Sequence, residues 1–268
     1  MKIAAIQMVS GVNLQSNLDA AGQLLVQASA QGAELAVLPE YFCLMGFKDT
    51  DKLHIQETVG AGLIQDFLSQ AARDLKLWIV GGTLPVATAD AHRVRNSALV
   101  FDPNGRCVAR YDKMHLFRYD NGGESYDESR VLEPGTQAVS FDLPSMDGST
   151  YRIGLSICYD LRFPELYRKL RADLLLVPSA FTYATGQAHW EVLLRARAIE
   201  NLAYVLASAQ GGVHENTRRT WGHSMIVDPW GQILVQHDEG PAVIMAEVRK
   251  EALELARARL PALSHSVL

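Results

Sequence analysis

Tyr151-Arg-Ile-Gly-Leu-Ser-Ile-Cys-Tyr-Asp-Leu-Arg-Phe-Pro-Glu165 is the stretch whose reading decides the fold. Its apolar run, Tyr151 to Ile157, has the length and composition of a buried strand. Cys158 follows at once, and six residues later Pro164 suits the first turn of a helix. A cysteine between a core strand and a helix sits where a sharp turn can present its sulfur at a sheet edge. Backbone N–H groups left free by such a turn can face an oxyanion. A lone Cys in an apolar strand is more often core filler, so the rest of the chain has to make the case for chemistry.

Working outward, the same strand-turn grammar recurs. Leu174 to Val177 reads as a strand closed by Pro178-Ser179, and Leu35 to Leu38 as one closed by Pro39-Glu40. Gly32-Ala-Glu-Leu-Ala-Val-Leu-Pro39 and Arg171-Ala-Asp-Leu-Leu-Leu-Val-Pro178 match in outline, hinting at two related halves. Ile3 to Met8, Leu77 to Val80, Asn96 to Phe101, Cys107 to Tyr111, Ala203 to Ala209, His223 to Val227, Ile233 to Gln236 and Ala242 to Val248 are further strands. Helices are expected from a Ser16 cap, over Leu63 to Leu75, Pro164 to Leu170, His189 to Asn201 and Glu251 to Arg259. Asp102-Pro-Asn-Gly105 and Asp228-Pro-Trp-Gly231 read as hairpin turns. Asp112 to Pro134, with Asn121-Gly122-Gly123, reads as a long loop, a class of segment that is often functional. Helices alternating with apolar strands predict an α/β layered fold with mixed sheets. No Pro/Gly/Ser-rich linker divides the sequence, so 1-268 is expected to be a single domain.

The 268 residues are 48% hydrophobic and 21% charged, with net charge −5. That balance favours neither nucleic acid nor an anionic membrane as partner. No secretory signal pattern opens the sequence, and no apolar stretch approaches membrane-spanning length. Cys43, Cys107 and Cys158 are odd in number and scattered. This argues against a disulfide framework or a zinc cluster and makes a reducing, cytoplasmic setting the expectation.

Three residues at strand ends stand out. Glu40 follows a buried strand and a proline, where burial can raise a carboxyl pKa, although an arbitrary Glu is usually solvated. Lys113 precedes Met114-His-Leu-Phe117, apolar enough to hold its stem in a pocket, although an isolated Lys usually snorkels at the surface. With Cys158 they supply an acid, an amine and a thiol: a base for the thiol, a cation for a tetrahedral oxyanion, and a proton for a leaving amine. Glu128, in the long loop, is equally compatible with plain solvation. A Cys–His hydrolase using His115, His189 or His223 is the rival scheme, and a catalytically inactive dimeric scaffold is the rival class.

Leu38-Pro-Glu40, Tyr111-Asp-Lys-Met-His-Leu-Phe117 and Ile157-Cys-Tyr-Asp-Leu-Arg-Phe-Pro-Glu165 resemble, in order, the three catalytic motifs of the nitrilase (carbon–nitrogen hydrolase) superfamily. The resemblance covers essentially the whole chain and implies a four-layer αββα sandwich that pairs as a homodimer, without metal or organic cofactor. It makes Glu40 the general base, Lys113 the oxyanion lysine, Cys158 the nucleophile and Glu128 a second glutamate beside them. Tyr159, next to Cys158, is expected to lend its backbone N–H to the oxyanion. Pro178-Ser-Ala-Phe181, Thr185 to Glu200 and Gly222 to Gly231 resemble the branch hydrolysing deaminated glutathione to 2-oxoglutarate and cysteinylglycine. The ω-amidases of 2-oxoglutaramate and 2-oxosuccinamate are the neighbouring alternative, and other aliphatic amide or N-carbamoyl hydrolases a third. For a substrate bearing carboxylates, Arg118, Arg162, Arg218 and Arg219 are the candidate cations at the mouth.

Overall fold

Lys2–Gln7 shows why this chain builds layers. Ile3 and Ala5 face one side and Ala4 and Ile6 the other, all fully buried, the period-two pattern of a strand covered on both faces. The computed structural model describes all residues except Asn121, Glu124, Ser266 and Leu268. Among the described residues a seven-stranded sheet runs Ala242–Glu247, Lys2–Gln7, Leu35–Val37, Trp78–Val80, Val94–Phe101, Leu84–Ala87, with Cys107–Asp112 also paired to Val94–Phe101. A six-stranded sheet runs Ile233–His237, Ser224–Val227, Tyr204–Ala207, Leu174–Leu176, Thr150–Leu155, Ser140–Pro144.

Five helices flank them: α1 (Leu14–Ala30), α2 (Leu63–Leu75), α3 (Pro164–Leu170), α4 (Tyr183–Asn201) and α5 (Lys250–Arg259), among the described residues. Leu18, Ala21 and Leu25 of α1 and Ile64, Leu68 and Ala72 of α2 pack on Ala4, Ile6, Ala36 and Ile79. The opposite face of that sheet, through Ile3, Ala5, Leu35, Val37 and Val80, shares a core with the second sheet. Tyr167 of α3 and Trp190 and Leu194 of α4 belong to that core too. The layers are therefore α, β, β, α, as the family resemblance implies.

The two similar stretches occupy equivalent places. Leu35–Val37 runs parallel to both its neighbours, and so does Leu174–Leu176 in the other sheet. Glu40 and Ala180 follow the carboxyl ends of these strands, and the Ala180 N–H donates to Glu40 Oε2 at 2.9 Å. Carboxyl ends of parallel strands are where open α/β sheets gather their ligands.

Three local expectations need correction. Asn13, not Ser16, caps α1: its Oδ1 accepts from the Ser16 N–H at 2.9 Å, the geometry of an N-cap side chain reaching the third turn residue. α4 begins at Tyr183, six residues before the expected start. Gly186 does not break it, because a Cβ there would lie 2.3 Å from Trp221; the glycine serves a close approach. The segment expected as a long loop contains the antiparallel pair Arg118–Asp120 with Ser125–Asp127 and a 3₁₀ turn Glu128–Arg130. Asn121, part of its turn signal, lies outside the described residues.

Gly82 fixes the backbone beside Glu40. Its φ is +49°, and an added Cβ would lie 2.0 Å from the Pro39 carbonyl oxygen. Gly82→Ala is expected to lower stability by at least about 2 kcal/mol through backbone strain, read from the urea unfolding midpoint; an unchanged midpoint would show that this backbone can yield.

Candidate active site

Glu40, Lys113, Glu128 and Cys158 come from four separated parts of the chain and meet in one buried cluster. Lys113 leaves the strand Cys107–Asp112 with its side chain 1% exposed. Its Nζ donates to Glu40 Oε1 at 2.9 Å and lies 2.8 Å from Glu128 Oε2. Burial would lower the Lys113 pKa, but the carboxylates of Glu128 and Glu40 outweigh it and hold the amine above its ordinary value. The ammonium is therefore a fixed charge.

Each carboxylate is held from several sides. Glu40 Oε1 also accepts from Asn96 Nδ2 at 2.8 Å, and its Oε2 from the Ala180 N–H. Glu128 accepts from the Tyr41 hydroxyl at 2.8 Å and from the Phe117 N–H at 2.7 Å. Burial raises the Glu128 pKa, yet Lys113 and these donors bring it below the usual value. Tyr41, at φ +56°, is itself pinned by its N–H to Thr83 Oγ1 at 2.8 Å.

Cys158 opens a 3₁₀ turn, Cys158–Arg162, with φ +49° and 8% exposure. A left-handed backbone at a non-glycine residue is uncommon and costs of order 1 kcal/mol or more. The turn is held by its N–H to the Pro178 carbonyl at 3.0 Å and by Asp160. Fully buried Asp160 accepts from the Ile157 N–H at 2.8 Å and from the Tyr111 hydroxyl at 2.7 Å. Its other oxygen accepts from the His115 N–H at 3.1 Å. One carboxylate thus ties the cysteine turn to the chain on both sides of Lys113. Sequence reasoning missed it; the signal was the acidic residue three positions after Ile157, placed to cap its N–H. As second residue of the turn, Tyr159 has an N–H with no carbonyl of its own turn to meet.

A cleft lined by Phe117, Cys158, Tyr159, Ala180, Phe181, Thr182 and Thr185 reaches the sulfur. Arg162 stands at its rim, its guanidinium carbon 5.5 Å from the Phe181 ring and 5.8 Å from the Tyr159 ring. Its η nitrogens lie 3.3 and 3.4 Å from His189 Nδ1, and it makes no ion pair among the described residues. Arg118 is exposed on its ribbon, near the charges of Asp120 and Asp127. Arg219 is exposed, paired with Glu239 at 2.8 Å and stacked 3.7 Å over Tyr183. Neither lines this cleft. The three histidines of the rival scheme have other partners: His115 is 2.7 Å from Asp160, His223 lies 2.7 Å from the Trp221 carbonyl, and His189 faces Arg162. A larger hollow against α4, lined by His189, Trp190, Trp221 and His223 among others, includes none of the four clustered residues. Among the described residues no group of three or more His, Cys, Asp or Glu side chains is placed to hold a metal ion.

Burial pushes the Cys158 thiol well above its ordinary pKa; Glu40 raises it further and Lys113 opposes both. The resting group is a neutral thiol with a carboxylate beside it. Removing the Glu40 charge takes away one raising influence, so Glu40→Gln should move the pH profile of Cys158 alkylation by iodoacetamide to lower pH. An unchanged or upward-shifted profile would mean that the two groups are not electrostatically coupled.

Comparisons with known proteins identify the family. The family described as Carbon-nitrogen hydrolase matches residues 2–258. A deaminated glutathione amidase of Synechocystis is 44% identical over 98% of this chain and 97% of its own length. The crystal structure of the NitFhit protein of C. elegans superposes with a TM-score of 0.88 at 36% identity, covering 99% of this chain and 65% of that one. Nit3 of Saccharomyces cerevisiae, a member of branch 10 of the nitrilase superfamily, superposes at 0.86 with 29% identity over 97% and 94% of the two chains. With three motifs in order, the αββα layering and a family match over nearly its whole length, this chain belongs to the carbon–nitrogen hydrolases of the nitrilase superfamily and acts on non-peptide C–N bonds.

Proposed function

We propose that this hydrolase is an amidase cleaving deaminated glutathione to 2-oxoglutarate and cysteinylglycine through a thioester on Cys158. The observation that carries the chemistry is the buried Glu40–Lys113–Glu128 charge cluster beside the thiol. The substrate rests on the relative named for it at 44% identity.

In this reading Glu40 accepts the thiol proton as Sγ bonds to the amide carbon. The carbonyl oxygen gains the negative charge and is met by the Lys113 ammonium and the Tyr159 N–H. The oxyanion collapses, the C–N bond breaks, and Glu40 returns its proton to the leaving amine. Water then gives a proton to Glu40 as its oxygen adds to the thioester. Collapse breaks the C–S bond, the sulfur recovers that proton, and the acid leaves. Glu128 orients Lys113. Arg162, without a carboxylate partner, faces the carboxylate of the acyl half; Arg118 and Arg219, which do not line the cleft, are weaker candidates.

The decisive measurement compares kcat/KM for deaminated glutathione and 2-oxoglutaramate, with Cys158→Ala as the blank. A clear preference for the first is expected; preference for the second would make the enzyme an ω-amidase with the same chemistry. Lys113→Ala should lose on the order of 100- to 1000-fold in kcat. It should also melt earlier, because two buried carboxylates lose their cation. Near-normal turnover would remove Lys113 from the mechanism.

The reading treats 1-268 as one catalytic domain, free of nucleic acid and membrane partners; among the described residues no helix is long and apolar enough to cross a membrane. Three unpaired cysteines support a cytoplasmic setting. The chain is further proposed to pair as a homodimer. Val192 and Ile199 on one side of α4 and neighbouring Trp230 are 69%, 46% and 61% exposed, which supports helix-on-helix burial. Val192→Glu should yield monomers in sedimentation velocity; an unaltered dimer would place the interface elsewhere.

A further inference from the structure

Glu128 also lines a second hollow, small and partly open, with a volume of about 20 Å³. Tyr41, Lys52, Phe117, Tyr126, Glu128 and Arg218 are among its walls. Phe117 is a wall of both this hollow and the Cys158 cleft. The Glu128 carboxylate, which also bonds Lys113, is one of the walls of this hollow.

Of its two cations, Lys52 faces the charges of Asp49 and Glu128, while Arg218 has no acid partner among the described residues, and its Nε is buried without a hydrogen bond. Its guanidinium carbon is 4.8 Å from the Tyr126 ring, an orientation that leaves the edge nitrogens available to an anion. Lys52 Nζ is 4.8 Å from the Tyr41 ring and 3.9 Å from Asp49, whose side chain is 62% exposed. The other acids of the hollow are already engaged. Glu128 is held by Lys113, Tyr41 and Phe117, and Asp127 turns back to the Ser129 N–H at 3.1 Å. A buried donor without an acceptor is costly and needs an explanation.

The positions are fixed before any ligand arrives. Asn216 accepts from the Arg218 N–H at 3.0 Å while its own amide donates to the Gly46 carbonyl at 2.7 Å. That ties the turn carrying Arg218 to the loop leading into Lys52. Two cations held so close are repelled from each other, a cost that an anion between them would offset.

We infer that Arg218 and Lys52 form the site for the terminal carboxylate of the leaving group, the glycine end of the dipeptide released. This deepens the proposed substrate reading and rests on it. The acyl half then lies in the Cys158 cleft under Arg162, and the two carboxylates of one substrate sit at opposite ends of the site. An amide whose leaving group is ammonia has nothing to place there.

The test uses deaminated glutathione and its glycinamide analogue, which differ in that one carboxylate. Wild-type enzyme is expected to prefer the free acid by about 10- to 100-fold in kcat/KM, as for a charge-assisted contact, mostly through KM. Arg218→Leu should collapse the ratio toward one, and Lys52→Gln should reduce it in the same direction; a structural defect alone would lower both substrates together and leave the ratio standing. A wild-type ratio near one, or a ratio untouched by either substitution, overturns the inference while the substrate reading stands. Failure of wild-type enzyme to hydrolyse deaminated glutathione overturns that reading, and this inference with it.

Discussion

A buried ammonium between two carboxylates governs this molecule. An ion taken out of water is costly unless it is paired and fully hydrogen-bonded. Lys113 meets that condition by collecting Glu40 from the end of one parallel strand and Glu128 from a turn beyond the ribbon. Glu40 in turn needs the Ala180 N–H, which belongs to the second sheet. The charges can be satisfied together when the two sheets are docked, so sheet packing and site assembly are one event. Removing one member would leave the others buried without compensation, a penalty of about 3–5 kcal/mol in comparable cases.

The sulfur is positioned by a different device. Cys158 is held in a left-handed backbone at the start of a tight turn, and the strain is balanced by Asp160, which accepts from residues on both sides of the lysine strand end and from Ile157. Arg197 of α4 closes the far end of the same turn by donating to the Leu161 carbonyl at 2.7 and 3.0 Å. A thiol fixed in this way and kept protonated by burial needs no ion pair with histidine. In the proposed mechanism its base is a neighbour able to accept a proton at the moment of attack, and Glu40 is the carboxylate that acts most strongly on the thiol.

Much of this was legible in the sequence because it rests on local pattern. Strand-like composition over Ile3 to Met8 marked the strand Lys2–Gln7, an apolar run ending in proline marked Leu35–Val37 and Leu174–Leu176, and Pro164 marked the start of α3. Glu40, Lys113 and Cys158 stood out as polar groups at strand ends, yet their meeting is a property of three-dimensional packing. Motif resemblance carried that step. What stayed hidden depends on partners distant in sequence: Asp160 joins Ile157 to Tyr111 and His115, Gly186 leaves room for Trp221, and Asn96 donates to Glu40. The arginines divided for the same reason. Arg219 met Glu239, 20 residues away, while Arg162 and Arg218 met no acid.

The charge of the cluster explains why such cations matter. Glu40 and Glu128 against Lys113, with a neutral thiol, leave a net charge of −1 in a low-dielectric setting. At an effective dielectric near 20, a unit charge 4 Å away contributes about 4 kcal/mol, so an anionic substrate approaching this site unaided would be repelled. Lys113 is already committed to two carboxylates, so in the proposed mechanism it does not also attract the substrate. Attraction must come from residues outside the cluster, and the fold places unpaired guanidinium groups where they do not disturb the proton balance: Arg162 beside the Cys158 cleft and Arg218 in the hollow that Glu128 lines. Under the proposed function, chemistry and selectivity lie on separate electrostatic elements, so substrate preference would change at the rim while the buried cluster stays intact.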